Sequence, residues 1–98
     1  MPRRIIDRIR AAIRAETYDM TAHAAEEMAE DRLDLADVES AILNGELVKL
    51  ERGDRRGTRY VIHGTGADGM TSVGIVGRFT ETGRSLIITA YKVTEVET

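Results

Sequence analysis

Two histidines, three tyrosines and fourteen lysines or arginines must supply most of the polar chemistry open to this cysteine-free chain of 98 residues. Without thiols there is no disulfide, no thiolate nucleophile and no cysteine-bound zinc. That leaves two histidines and the carboxylates as metal ligands, and neither a metal nor a cofactor is expected. The residue types fit a different chemistry. Metal-free RNA cleavage needs a group to deprotonate the 2′-hydroxyl, a group to protonate the leaving oxygen, and fixed cations for the charge that develops on the phosphorane. His63 belongs to the one side-chain type that ordinarily titrates near neutrality, and Arg59 and Arg78 carry planar forks suited to phosphate. Tyr91 can stack on a base or donate a hydrogen bond, with Thr89 close by in sequence. The competing reading of the same residues is a solvated strand surface.

His23 is a further candidate base. Helical spacing sets it opposite an apolar stripe, beside Glu26 and Glu27, a setting equally suited to a structural hydrogen bond or a solvated ring. A His23–Glu27 metal pair would lack a third ligand. Near the N-terminus Arg3, Arg4, Arg8, Arg10 and Arg14 recur on one helical face. Arg3, Arg10 and Arg14 are candidates for contact with RNA phosphates or an acidic partner, against the plainer reading of a solvated helix exterior. The Gly64–Gly69 stretch lacks the lysine and following helix of a phosphate loop and reads as a hairpin connection.

These side chains must be positioned by one α+β domain covering residues 1–98. The chain is long enough for one core, and no apolar run approaches the length of a bilayer span, so a cytoplasmic protein away from membranes is expected. The net charge of −3 conceals three blocks. Residues 1–14 hold five Arg against Asp7, or +4; residues 15–46 hold ten acids against Arg32, or −9; the remainder is +2. A uniformly basic nucleic-acid-binding surface is therefore excluded, and any such binding must be local.

Apolar spacing predicts helices over about 3–16, from Thr21 to about Arg32, and over 35–44, with Thr21 and Asp34 as N-caps and a left-handed stop at Asn44-Gly45. From Glu46 the period changes to two, predicting a meander of four antiparallel strands near 46–51, 58–63, 72–80 and 85–93, plus a short strand at 18–20. The helices cover one face. Pairing Ile62 with Val73, Tyr60 with Ile75, Phe79 with Leu86 and Ile75 with Ala90 gathers Tyr60, Ile62, Val73, Ile75, Phe79, Leu86, Ile88 and Ala90 beneath them. Arg59, His63, Arg78, Thr89 and Tyr91 then share the opposite face around Gly74.

An ordered set of motifs runs through nearly the whole chain: Thr21-Ala22-His23-Ala24-Ala25-Glu26-Glu27-Met28, a Leu-Asp-Leu-Ala-Asp-Val-Glu helix ending at Asn44-Gly45, Arg59-Tyr60-Val61, and Ile88-Thr89-Ala90-Tyr91. It resembles an uncharacterised-domain family related to the RelE, ParE, BrnT and MqsR toxins. The resemblance implies a RelE-like fold and an endoribonuclease acting on messenger RNA. It also implies the role of toxin in a type II pair, with an antitoxin carrying a zinc-finger or helix-turn-helix element as partner; a homodimer is compatible with it. Two positions depart from the pattern, Glu27 and Asp31 standing where arginines are expected. A non-catalytic homologue that binds protein or nucleic acid is the alternative.

Overall fold

The computed structural model describes residues 4–52 and 57–94. Its elements follow one another as α1 (Ile5–Arg14), β1 (Tyr18–Met20), α2 (Ala22–Glu30), α3 (Leu35–Asn44), β2 (Glu46–Glu51), β3 (Arg59–Thr65), β4 (Ser72–Phe79) and β5 (Ser85–Lys92). The sheet has the order β1-β5-β4-β3-β2. The four expected strands pair antiparallel as β2 to β5. The short segment at Tyr18–Met20 joins as a fifth strand, parallel to β5, so the sheet is mixed instead of purely antiparallel.

Local chemistry sets the helix starts. The Thr21 hydroxyl accepts from the Ala24 amide at 3.1 Å and donates to the Ile88 carbonyl at 2.9 Å, which caps α2 and fastens it to β5 together. Asp34 and Asp37 accept from each other's backbone amides at 3.0 Å, a reciprocal capping box. The end of α3 differs from expectation. Gly45 is extended, at φ −84°, and glycine is required there because a Cβ would collide with the carbonyl oxygens of Ala41 and His63. The left-handed turns fall instead at Glu16 and Arg32, just past α1 and α2. Gly64 repeats the steric demand from the sheet side, since its Cβ would strike the backbone of Ala41. Helix α3 therefore lies with its backbone directly against β3.

The core gathers Ile9 and Ile13 of α1, Ala24 and Met28 of α2, Val38, Ala41 and Ile42 of α3, and Tyr60, Ile62, Val73, Ile75, Ile87 and Ala90 of the sheet. Its register differs from expectation in two ways. Ile62 pairs with Ile75 and Tyr60 with Gly77, a slip of two residues that preserves every side chain's face. The slip gives the Tyr60 ring the space above Gly77, where any Cβ would meet the ring and its hydroxyl. On β5, Phe79 pairs with Ser85 instead of Leu86, and Ile88 is bulged between the Val76–Thr89 and Gly77–Ile87 pairs. The bulge swaps the faces upstream of it, so Ser85 and Ile87 enter the core in place of Leu86 and Ile88. Ser85, the one fully buried polar residue among those described, exchanges a short hydrogen bond with the Tyr60 hydroxyl.

Arg10 has an internal task. Its Nη2 donates to the Gly45 carbonyl at 2.7 Å and its Nε to that of Ile42 at 3.4 Å, supplying donors at the C-terminal end of α3 where carbonyls lack helical partners. At the sheet edge, β1 covers only the first half of β5. The Asp31 carboxylate takes over beyond it, accepting from the Lys92 amide at 2.8 Å.

Two stability predictions follow from this packing. A Gly64→Ala substitution presses a methyl group into the Ala41 backbone and should cost about 1–3 kcal/mol, read from the urea midpoint. Burial pushes the Tyr60 phenol up to about 12, the Ser85 hydrogen bond partly opposing the rise. A folded-state value above the unfolded one near 10 gives stability that is complete below pH 10 and lost as pH climbs towards 12, about 3 kcal/mol in all. Tyr60→Phe should shallow the alkaline arm of a stability–pH curve while lowering stability at neutral pH, where Ser85 is left unpartnered. Tyr18, whose phenol is raised by burial and by its hydrogen bond to Glu39, contributes to the alkaline loss that remains in that variant.

Candidate functional site

Alternation along β3, β4 and β5 sends one set of side chains under the helices and the other to a face that none of the described helices covers. The bare face is laid out in three rows by the register. Glu46, His63, Gly74 and Tyr91 form the first, Lys49, Val61, Val76 and Thr89 the second, and Glu51, Arg59, Arg78 and Leu86 the third. Arg59, His63, Arg78, Thr89 and Tyr91 thus share one face, as their spacing suggests.

Gly74 shapes the first row. Tyr91 lies across it so closely that a Cβ would enter the phenol ring. In this position the Tyr91 hydroxyl reaches His63 Nε2 at 3.4 Å, with the two rings edge to face. The pair combines a group able to take a proton with a hydroxyl able to give one. Beside it, a cleft of about 440 Å³ is lined by Asn44, Gly45, Glu46, His63, Gly64 and Thr65. Its wall is fixed by Asn44, whose side-chain amide grips both backbone groups of Thr65, at 2.8 and 2.9 Å. Asp37 secures the following loop by accepting from the Ala67 amide, and within that loop Asp68 accepts from the Thr71 hydroxyl and from the Thr71 and Met70 amides. Those bonds hold the Asp68 carboxyl at about 2.

The third row stands apart. Arg59 and Arg78 are directly paired across β3 and β4, and four residues of strand, roughly 13 Å of backbone, separate Arg59 from His63. The two arginines and the His63–Tyr91 pair are therefore at opposite ends of the face.

Other candidates go elsewhere. His23 sits on α2 with its side chain 65 % exposed and its Nε2 3.1 Å from Glu27, and among the described residues it has no contact with the sheet-face group. On α1, Arg10 is committed to α3, Arg14 is exposed, and the Arg8 guanidinium lies 4.2 Å from the Phe79 ring centre. Arg3 falls outside the described residues. No three potential metal ligands cluster among the described residues, and none of the described helices is long and apolar enough to cross a membrane. Sequence reasoning missed Glu46, Lys49 and Glu51 as members of the face. The bulge between Leu47 and Lys49 lets Glu46 share it with Lys49 and Glu51, which strict alternation would separate.

Residues 20–92 match the model of a family described as "Domain of unknown function (DUF4258)". The chain belongs to that family. The DUF4258 match takes in every named residue of the bare face, from Glu46 to Tyr91, and it leaves out α1. No curated protein and no solved structure matches the chain.

Tyr91 provides the stability test of this DUF4258 face. A Tyr91→Ala protein should lose well under the roughly 3–5 kcal/mol of a deleted core aromatic, with a circular-dichroism melt close to wild type. Outright unfolding would instead place the ring in the core.

Proposed function

We propose that the protein is a metal-independent endoribonuclease acting on messenger RNA, and that it serves as the toxin of a type II toxin–antitoxin pair with a RelE-like fold. The observation that carries the reading is the His63–Tyr91 pair seated over side-chain-free Gly74, on a face shared with two arginines. Neutral His63 takes the proton of the 2′-hydroxyl. The resulting oxyanion attacks the adjacent phosphorus, and the 5′-oxygen leaves with the proton of the Tyr91 hydroxyl, producing a 2′,3′-cyclic phosphate and a 5′-hydroxyl end. The glycine makes room for the Tyr91 ring to lie across the strand and reach His63. Exposed Arg14 of α1 and Thr89 of the sheet add candidate contacts to RNA. An antitoxin, of zinc-finger or helix-turn-helix type, would hold the toxin inactive in the cytoplasm.

A second reading, a non-catalytic nucleic-acid-binding or protein-binding module on the same face, is favoured by one observation: the arginine pair is too far along β3 to flank a phosphate held at His63.

Induced expression separates the two. The wild-type chain should arrest bacterial growth, an adjacent antitoxin should relieve the arrest, and purified protein should cleave RNA in the presence of EDTA. His63→Gln and Tyr91→Phe should each lower cleavage about a hundredfold to ten-thousandfold, in line with loss of a general acid or base, with the melting curve unchanged. Normal growth together with RNA binding and no cyclic-phosphate product would favour the non-catalytic module.

A further inference from the structure

The third row of the bare face carries an electrostatic anomaly. Like charges placed directly opposite each other on neighbouring strands repel, yet Arg59 and Arg78 are such a pair. Carboxylates stand at both ends of the row, and each is beside a different cation. Glu51, opposite Arg59, is 3.4 Å from Lys49, and Asp19, opposite Leu86, is held by Arg84 through two bonds of 2.8 and 3.2 Å. Neither arginine forms an ion pair among the described residues, and the Arg59 Nε is buried there without an acceptor. A buried donor left unmade is costly, and an anion entering between the two guanidinium groups would both satisfy it and cancel the repulsion.

Between this pair and the His63 row lie Val61 and Val76, paired across the strands and both half-buried. They make a short apolar saddle. The distance across it, roughly 13 Å, corresponds to about four nucleotides stacked at 3.4 Å each, and to fewer when the strand is extended.

From this we infer that Arg59 and Arg78 form a phosphate site separate from the reacting one, and that the ligand is single-stranded nucleic acid lying along β3 and β4. One phosphodiester sits between the arginines, a base rests on the Val61–Val76 saddle, and a second phosphodiester reaches His63 and Tyr91. A duplex cannot lay an unpaired base on the saddle, whereas a single strand can. This inference rests on the proposed function for the nature of the ligand, but not for catalysis.

The test uses the full chain and 2′-O-methyl RNA oligonucleotides, which cannot be cleaved, in fluorescence anisotropy at low salt. Affinity should rise about tenfold or more from a dinucleotide to a hexanucleotide, and a hexamer duplex should bind more weakly than the single strand. Arg59→Gln and Arg78→Gln should weaken hexanucleotide binding by a larger factor than dinucleotide binding and so flatten the length dependence, each lowering the salt slope by about one. Arg59→Lys should restore part of the slope; if Arg59→Gln fails to fold, Arg78→Gln and Arg59→Lys carry the comparison. Length-independent binding, equal loss of dinucleotide affinity in the arginine variants, or no binding of any oligomer overturns the inference. Inorganic phosphate competing as well as the hexamer would reduce the row to a simple anion site and overturn it too. Length-dependent binding by a protein that never cleaves RNA would uphold this inference and sink the catalytic reading; cleavage with length-independent binding would do the reverse.

Discussion

The contact on which the rest depends is backbone against backbone: the turn of α3 at Ala41 pressed onto β3 at Gly64, with Gly45 making room for the chain to leave the helix and enter β2. Two missing side chains bring a helix closer to a sheet than ordinary side-chain packing allows. That closeness lets the amide of Asn44 reach the backbone of Thr65, lets Asp37 reach the β3–β4 loop, and gives Arg10 two carbonyls to bind. Together these bonds fix α3, and with it α1, to one side of the sheet. The bare face exists because the covered face is so firmly assigned.

Strand β4 repeats one device on its two sides. Gly77 opens space for the Tyr60 ring beneath the helices, and Gly74 opens space for Tyr91 on the bare side. The environments then drive the phenols apart in character. Tyr60 is fully buried, so its proton is held tightly although the Ser85 hydrogen bond works against this, and its contribution is to the specification of the core. Tyr91 is partly exposed and faces a histidine. The same residue type over the same residue type supplies a structural pin on one side and a chemically available hydroxyl on the other.

What could be read from sequence was local or alternating. The caps at Thr21 and Asp34 depend on residues three positions away, and both form. The membership of Arg59, His63, Arg78, Thr89 and Tyr91 in one face survived a two-residue error in pairing, because a shift by an even number leaves every face intact. The misplaced features all depend on distant partners. The bulge at Ile88 coincides with the carbonyl that binds Thr21, 67 positions earlier in the chain, and it alone moved Leu86 out of the core and Ser85 into it. The parallel pairing of β1 with β5, the steric reason for Gly45 and the commitment of Arg10 to α3 likewise join segments far apart in sequence. The family match adds the boundaries of a shared domain, and the chemistry must be argued from the face itself.

The Asp31–Lys92 bond bears on how the molecule stays apart from its neighbours. A strand edge with unpaired amides is a template for adding another chain, and β5 would present one wherever three-residue β1 stops short. A carboxylate bound to the Lys92 amide puts a negative charge where an incoming strand would need to dock. At the far edge, β2 is interrupted at Val48 and carries Glu46, Lys49 and Glu51 outside the core, so its ladder is short, kinked and charged. Both margins of the sheet thus discourage growth by strand addition.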